Sequence, residues 1–436
     1  MRNLLTNEIY TKTLSFFPNN SKPLLVEFDE INEVILIVSS EMKIYIVSTK
    51  DYSLQHSIDI EGALSFNSSL MMNAMTAIEN KENPFLFITY KPEIDCIILG
   101  FSSGDLSTIS INEGQSSNIS LVSDEKVKLI AMKASPNQEH IIAVLSNYTL
   151  LLISYDTLSV INKCSVDDND LSKVNESDIL KEADISFKQN GDLFAVNYNV
   201  NNGYKCIVRD MKLNVFKGPA RADNKIVFSV AEAPLDYMSS LVSFQPNGSL
   251  IAFYNTKTNS VFFSEKNCLV HGHFNVLSHH LSSLKNVIPV FLRWSFDSPM
   301  LLLVLRNNDD NKYYIQIYHR SNYEWSLKYE SERDIPIIEC KFSDIKSNEL
   351  MIYNNENRVE IISFVFDYVS SLSSGNNYKE NNGEICVIDN DIIKYSPLGI
   401  INIPPPMALV KVQTKGEKCF WYKNYFFTLS SHVIYV

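Results

Sequence analysis

Glycine is scarce in this sequence, with 13 residues in 436, and tryptophan is scarcer, with three. Tight turns need either a positive φ or local side-chain hydrogen bonds, so most turns are left to Asn, Asp and Ser. No run approaches the roughly 18 consecutive apolar residues of a membrane-spanning helix. The opening segment 1–12 is polar throughout and has no apolar signal core. We therefore expect a cytoplasmic chain, with the nucleus left open as a second compartment.

Paired cysteines and excess positive charge are also lacking. The seven cysteines are scattered, odd in number and never spaced as Cys-x-x-Cys, which predicts reduced thiols carried on strands. The formal charge of −12 repels phosphate backbones and argues against nucleic acid as the main partner of this chain. In contrast, 22 Tyr and 24 Phe favour β-strands, where flat rings pack on a pleated surface.

One pattern organises the chain. A strand ends in an apolar or aromatic residue, a turn rich in Pro, Asn, Asp, Gly or Ser follows, and then comes a very apolar strand, as in VSFQPNGSLIAF. The end residues of the seven first strands are Phe28, Tyr90, Ala134, Phe187, Phe244, Trp294 and Phe342. Their mean spacing is about 52 residues, close to the roughly 40–50 that a four-stranded propeller blade needs. An ordinary β-sandwich does not require this repetition.

The predicted fold is all-β: a seven-bladed WD40-type β-propeller over residues 1–369, divergent because Trp-Asp dipeptides are absent. The strand within residues 4–16 is expected to complete the seventh blade and close the ring. Residues 370–383 read as a polar linker. Residues 384–436 hold about one blade's worth of strands, which we interpret as the first blade of a second, truncated propeller. Packing of this segment on the first ring is the alternative.

Motifs that could carry chemistry are weak. GFSSG (100–104) matches a hydrolase nucleophile pattern, but a strand follows it, so we expect its glycines to serve a β-hairpin turn. The histidines at 271, 273, 279 and 280 have no paired Cys or HExxH beside them and are expected to lie on the surface. We expect no catalytic residue, no metal and no cofactor. The residues that start the inner strands predict an unremarkable channel lining.

Two segments are candidates for docking. Residues 165–184 carry seven carboxylates against two lysines, which indicates either a solvated loop or a site for a basic partner. The string PPPM locks an extended segment that is either a rigid connection or a peptide-like docking surface. It consists of Pro404, Pro405, Pro406 and Met407.

The string VFFSEKNCLVHGHF (261–274) resembles the F-F-E-[KR]-N-G-L-x-H-G-x-F signature of the largest subunit of the Elongator complex. MRNL, FKQNGDLFAV, VSFQPNGSLIA, NYEWSLKYE, VIDNDII and PPPM also resemble strings of that family, in order along the chain. Ser264 is an extra residue relative to the signature, and Cys268 replaces a family glycine. These two departures bear on the local geometry of the hairpin and not on the fold. The matching signature residues that we take as interaction candidates are Phe262, Phe263, Lys266, Asn267, His271 and Gly272.

The resemblance implies a non-catalytic scaffold. The family's assembly modifies the wobble uridine of certain tRNAs, and its largest subunit holds a radical-SAM/acetyltransferase-like catalytic subunit and a WD40 subunit. In the family, dimerisation and a basic tRNA-contacting segment belong to a helical-repeat region that this sequence does not contain. We therefore assign neither role here and expect tRNA to be reached only through the assembly. The alternatives are a generic WD40-type scaffold of another multiprotein assembly and an enzyme built on a propeller.

Overall fold

The fold is that of a computed structural model in which most of the chain is described. The described residues are 3–18, 21–65, 67–122, 124, 126–166, 179–200, 203–215, 238–266, 270–278, 286–297, 299–321, 324–367, 370–372, 383–389, 392–397, 408–411, 418–422, 425–430 and 433–436.

Seven antiparallel sheets follow one another along the chain and form the blades. The first blade contains β2 (Pro23–Asp29), β3 (Val34–Ser39), β4 (Lys43–Ser48) and β5 (Leu54–Asp59). The second contains β6 (Phe85–Lys91), β7 (Cys96–Phe101), β8 (Asp105–Ser110) and β9 (Ser116–Ser120). The third contains β10 (Leu129–Ala134), β11 (His140–Leu145), β12 (Thr149–Ser154) and β13 (Val160–Ser165). The fourth and fifth contain β14 (Ala183–Phe187), β15 (Leu193–Val200), β16 (Gly203–Asp210); and β17 (Met238–Phe244), β18 (Leu250–Asn255), β19 (Ser260–Glu265), β20 (Val270–Asn275). The sixth contains β21 (Val287–Trp294), β22 (Met300–Asn307), β23 (Tyr313–Ser321), β24 (Glu324–Arg333), and the seventh contains β25 (Ile337–Phe342), β26 (Glu349–Asn354) and β27 (Arg358–Asp367).

The seventh blade is completed by the N-terminal strand β1 (Asn3–Thr13). This strand pairs antiparallel with β27, from Asn3 opposite Asp367 to Thr13 opposite Arg358. The prediction that the first strand closes the ring is therefore confirmed. Closure removes the two open blade edges that would otherwise expose unpaired backbone groups.

The inner strands contact one another in a complete circuit: β2 with β6, then β10, β14, β17, β21, β25 and back to β2. The repeated end residues predicted from the sequence each lie at or next to the end of one of these strands. The second strands are apolar on both faces; β3 and β18, for example, are buried along their whole length. Burial on both faces by neighbouring blades explains why these strands do not alternate. The seven-bladed prediction is confirmed.

Two helices between the first and second blades were not predicted. They are α1 (Ile60–Ala63) and α2 (Ser68–Glu79), and a short 3-10 helix spans Pro92–Ile94 in the second blade. The Asn67 side chain caps α2 by accepting a hydrogen bond from the Leu70 N–H. Leu70 and Ala74 then bury the inner face of α2 against the core between these blades. This insertion accounts for the longest interval in the repeat.

Two further sheets follow the seventh blade. One contains β28 (Ser370–Leu372), β29 (Gly383–Asp389), β30 (Ile392–Pro397) and β31 (Ala408–Lys411), and the other contains β32 (Lys418–Tyr422), β33 (Tyr425–Ser430) and β34 (Val433–Tyr435). Strand β29 contacts β24 and β1, the outer strands of the sixth and seventh blades. Strands thus continue beyond the ring, in two sheets where the sequence suggested about one blade.

Candidate functional site

The signature hairpin β19–β20 forms the joint between the fifth and sixth blades. Neighbouring residues of a strand point to opposite faces, and Phe263 points into this joint, where it is 3% exposed. Its ring stacks on Trp325 at 4.9 Å between centroids and lies 5.7 Å from Trp294. Phe274 from β20 lies 5.3 Å from Trp325 and 4.6 Å from Tyr318. Offset and tilted ring pairs at these separations add to the energy of burial, so the signature aromatics hold two blades together.

The other face of the hairpin is half-exposed. Phe262 stacks on His273 at 5.1 Å. The Nδ1 atom of His271 lies 3.5 Å from an oxygen of Glu265. The β19–β20 register shifts after Phe263, since Ser264 pairs with Val270 and leaves His271 bulged. The irregularity falls where the sequence departs from the family signature.

The remaining predicted site residues divide into two groups. Gly272 lies opposite Phe263, and a Cβ atom added to it would meet no atom within 4 Å. Lys266 lies in the turn after β19. Asn267 and the PPPM string (Pro404, Pro405, Pro406, Met407) lie outside the described residues. The structure therefore brings together the aromatic residues of the signature, places Lys266, His271 and Gly272 on the same hairpin, and does not describe Asn267 or the PPPM string.

The GFSSG string forms a β-hairpin turn, as predicted. It joins β7 to β8, and the Gly104 N–H donates to the Phe101 carbonyl at 2.9 Å. Gly104 has φ +92°, and an added Cβ would lie 2.6 Å from Val122 Cγ2. Glycine is required there for backbone reasons, not to present Ser102 as a nucleophile.

Charged side chains lie on the inner strands, mostly away from the strand starts on which the expectation of an unremarkable channel lining was based. Inner strands contribute six charged side chains, and ion pairs join Arg293 to Glu339 and Lys341 to Glu27 between neighbouring blades. These six side chains come from the inner strands of the first, third, fourth, sixth and seventh blades. They are Glu27, Lys133, Asp184, Arg293, Glu339 and Lys341. Three carboxylates face three cations, so these charges balance. Asp184 was assigned to the acidic loop but lies in β14, and residues 167–178 of that loop lie outside the described residues.

Ion pairs link neighbouring blades within the channel. The Arg293 guanidinium donates from both terminal nitrogens to the Glu339 carboxylate, and also to the Cys340 carbonyl at 3.3 Å. Lys341 Nζ lies 3.7 Å from Glu27 Oε1 and 2.8 Å from Asp344 Oδ2. Bidentate Arg–carboxylate contacts are among the strongest protein hydrogen bonds because both partners are charged and planar.

Burial and pairing shift these groups in opposite directions. Burial raises the pKa of Glu27 and of Asp184, and attraction to Lys341 and Lys133, respectively, offsets part of each rise. Burial lowers the pKa of Lys133 below its ordinary value. Burial also opposes the charged form of Lys341, but the nearby carboxylates, Glu27 foremost, outweigh it and raise the pKa of that ammonium.

One position of the repeat carries most of these contacts. We call it the joint position: the residue immediately before each repeated end residue of an inner strand. Its occupants are Glu27, Thr89, Lys133, Ser186, Ser243, Arg293 and Lys341. All are polar, in six cases with a hydrogen bond to the next blade.

The contacts differ in chemistry, but each of them runs from one blade to the next. Thr89 Oγ1 lies 3.0 Å from the Tyr155 hydroxyl, and Lys133 Nζ donates to the Ile185 carbonyl at 3.2 Å. Ser186 Oγ accepts from the Phe244 N–H at 2.8 Å. Each of these bonds joins two successive blades. The polar side chains at the joint positions therefore stabilise the contacts between blades.

Two kinds of feature are absent from the described residues. No group of three or more His, Cys, Asp or Glu side chains is placed to hold a metal ion. Within the same residues, no helix has both the length and the apolar character needed to cross a membrane.

Seven blades in a closed ring, the seventh of which is completed by the N-terminal strand β1, define a WD40-like β-propeller. Residues 165–335 match a family model described as "ELP1 first N-terminal beta-propeller". Elongator complex protein 1 of Schizosaccharomyces pombe is 28% identical over 205 residues, covering 45% of this chain and 15% of that protein. The Saccharomyces cerevisiae protein is 29% identical over 196 residues (43% and 13%), and the Mus musculus protein is 28% identical over 190 residues (39% and 13%).

The resemblance to the largest-Elongator-subunit family, expected from the ordered motifs, is confirmed by these matches. The similarity is to the first N-terminal propeller of that family. The matched region spans no more than 15% of the length of these relatives. The similarity therefore characterises this propeller and not the remainder of those proteins.

Proposed function

We propose that this chain is a non-catalytic scaffold subunit of an Elongator assembly that modifies the wobble uridine of tRNA. One observation supports this most directly: the family signature is used to join blades. Phe263 and Phe274 pack in the joint to the sixth blade, and the channel charges pair with one another. A ring whose blades are joined by packed aromatic rings and ion pairs is suited to presenting loops to partners.

The expected partners are the radical-SAM/acetyltransferase-like catalytic subunit and a WD40 subunit, and tRNA is reached only through them. Residues 384–436 are proposed to begin a second propeller; of the segment 370–383 that was expected to be a linker, Ser370–Leu372 form β28 and pair with β29. In support, the two sheets beyond the ring have antiparallel neighbour-to-neighbour strand order, like the blades.

The test is co-purification from the native cell. The chain carrying an affinity tag should recover the catalytic and WD40 subunits, and its deletion should abolish carboxymethyl-type wobble uridines, measured by mass spectrometry of tRNA nucleosides. Recovery of an unrelated assembly with unchanged tRNA would favour the generic-scaffold alternative and refute this proposal. The purified chain, assayed alone, should not turn over ester, peptide or glycoside substrates.

A further inference from the structure

The turns at one end of the propeller are unequal around the ring. Because successive strands are antiparallel, the loops after the first and third strands of every blade lie at the same end, which we call the loop face. The turns after the inner strands of the third, fourth and fifth blades have polar tips at Asn137, Asn190 and Asn247. Asn is the residue expected in such turns.

The corresponding turns of the sixth, seventh, first and second blades have apolar tips. The side chains are Phe296, Ile345, Ile31 and Ile94, which are 39%, 64%, 72% and 55% exposed. These four blades are consecutive around the closed ring, so the tips form one arc, which we call the apolar arc. An exposed apolar side chain in isolation is ordinary, but four at equivalent turns of neighbouring blades form a set.

The turns do not need these side chains for their shape. Around Ile31, the Asp29 carboxylate accepts from the Asn32 N–H at 3.1 Å and from its side-chain amide at 2.7 Å. Around Ile345, Ser343 Oγ accepts from the Ile345 N–H at 3.1 Å. Polar neighbours set the backbone, and the apolar side chains point outward without packing in the core.

The charges in the loops of the loop face also differ between the four apolar-arc blades and the other three blades. In the described loops of the loop face, the apolar-arc blades carry eight carboxylates and two lysines: Glu30, Glu33, Asp51, Glu93, Asp95, Glu113, Asp297, Asp344, Lys50 and Lys346. The corresponding loops of the other three blades carry three of each sign: Glu139, Asp156, Asp192, Lys188, Lys212 and Lys266. The two lysines of the arc lie beside carboxylates, Lys50 next to Glu33 and Lys346 next to Glu349.

We propose that the apolar arc docks a lysine- and arginine-rich segment of a partner protein that also carries apolar side chains. The apolar tips supply desolvated anchors, and the surrounding carboxylates select a cationic partner and speed its encounter. The same negative field disfavours nucleic acid and a second copy of this chain, whose net charge is −12. The inference deepens the proposed scaffold role and rests on it for the identity of the partner.

A titration of the full chain tests the surface itself. The probe is a fluorescent amphipathic peptide of Leu and Lys, compared with a Leu and Glu peptide of the same pattern. The Lys peptide is expected to bind and to weaken as salt is raised, because screening acts on exposed charges. The Glu peptide is expected not to bind. Equal binding of both peptides would overturn the inference.

Matched variants locate the binding. The triple substitution Ile31→Ser, Ile94→Ser and Ile345→Ser should weaken the Lys peptide by about 10-fold or more, as expected when central apolar anchors are lost. Control substitutions on outer strands, Leu54→Ser and Ile161→Ser, should leave affinity within about 2-fold. An equal loss in both sets would refute docking at the arc.

A charge-reversal pair gives an independent check. Glu93→Lys with Glu113→Lys should weaken the Lys peptide, whereas Glu139→Lys with Asp192→Lys on the other half of the loop face should not. Unchanged melting temperatures establish that each variant is folded. Loss with the second pair alone would overturn the assignment of the surface.

The assembly separates this inference from the proposed function. Carbodiimide joins carboxylates directly to lysines in contact, so cross-links from Glu93 or Glu113 to lysines of a co-purified subunit are expected. If the chain co-purifies with Elongator subunits but cross-links only from the other blades, the scaffold role stands and the apolar arc is refuted. If no Elongator subunit co-purifies, the proposed function fails, while the peptide titration still decides the surface.

Discussion

Two adjacent phenylalanines in the signature hairpin should differ sharply in their importance for stability. Phe263 is buried among Trp325, Trp294 and Phe274, whereas Phe262 is half-buried against His273. Phe263→Ala should cost about 3–5 kcal/mol, the range for truncating a buried Phe. Phe262→Ala should cost about 1 kcal/mol or less, because little apolar area is withdrawn from water there.

These energies translate into measurable thermal shifts. With an unfolding entropy of about 2.1 cal/mol/K per residue, the roughly 365 residues from β1 to β27 give about 0.8 kcal/mol/K. Phe263→Ala should then lower the melting temperature by about 4–6 °C and Phe262→Ala by about 1 °C, if the ring unfolds as one unit. The fluorescence of Trp294 and Trp325, which line this joint, reports the transition.

The reasoning would be refuted by the reverse order. A larger loss for Phe262→Ala would mean that the faces of β19 are assigned wrongly. Equal losses would mean that the signature acts through both faces and not mainly through the joint between blades.

Three further outcomes are expected. Lys341→Met should cost about 1.5–3 kcal/mol near pH 7, since a charged donor is lost. The raised pKa of Glu27 means that this carboxyl gains its proton as pH falls toward 4, so the wild-type advantage over the variant should shrink there, measured by urea unfolding at both pH values. Gly104→Ala should destabilise by more than about 1 kcal/mol because of its positive φ and a side chain 2.6 Å away, whereas Gly272→Ala should be neutral or slightly stabilising in the same assay. Removing residues 1–16 should lower the melting temperature by many degrees, because the seventh blade loses its outer strand.

Each of these outcomes can fail separately. A pH-independent cost for Lys341→Met would show that its bonds to the Phe28 carbonyl and to Asp344, and not the contact with Glu27, dominate. Equal effects of the two glycine substitutions would contradict the backbone argument. A deletion of residues 1–16 without thermal effect would contradict closure by β1.

The fold could be predicted because its signals are local. Residues such as Phe28 and Trp294 recur at the ends of inner strands, and strand–turn–strand units repeat between them. The helix α2 was missed because only one side-chain cap, Asn67, marks its start and no acidic residue lies in its first turn. A twelve-residue helix is held mainly by tertiary packing, which sequence does not show.

The joint position was also missed, although a signal was present. Superposing the repeats on their end residues places a polar side chain immediately before each one, for example Lys133 before Ala134 and Arg293 before Trp294. What sequence could not supply is the partner, since each contact runs to the following blade, 46 to 66 residues away along the chain in five cases and 313 residues away for Lys341 and Phe28. The contact between Lys341 and Glu27, which lie in the last and first blades, forms only once the ring is closed.

Because Asn3 pairs with Asp367, the strand pair β1–β27 can form completely only after synthesis has passed residue 367. Ribosomes add about 5–20 residues per second, so roughly 20–70 s separate the emergence of the first strand from that of its partner. Throughout that interval the nascent chain carries β1 without its pairing partner, exposed to chaperones and to other nascent chains. Each molecule can therefore complete its seventh blade only after β27 has been synthesised.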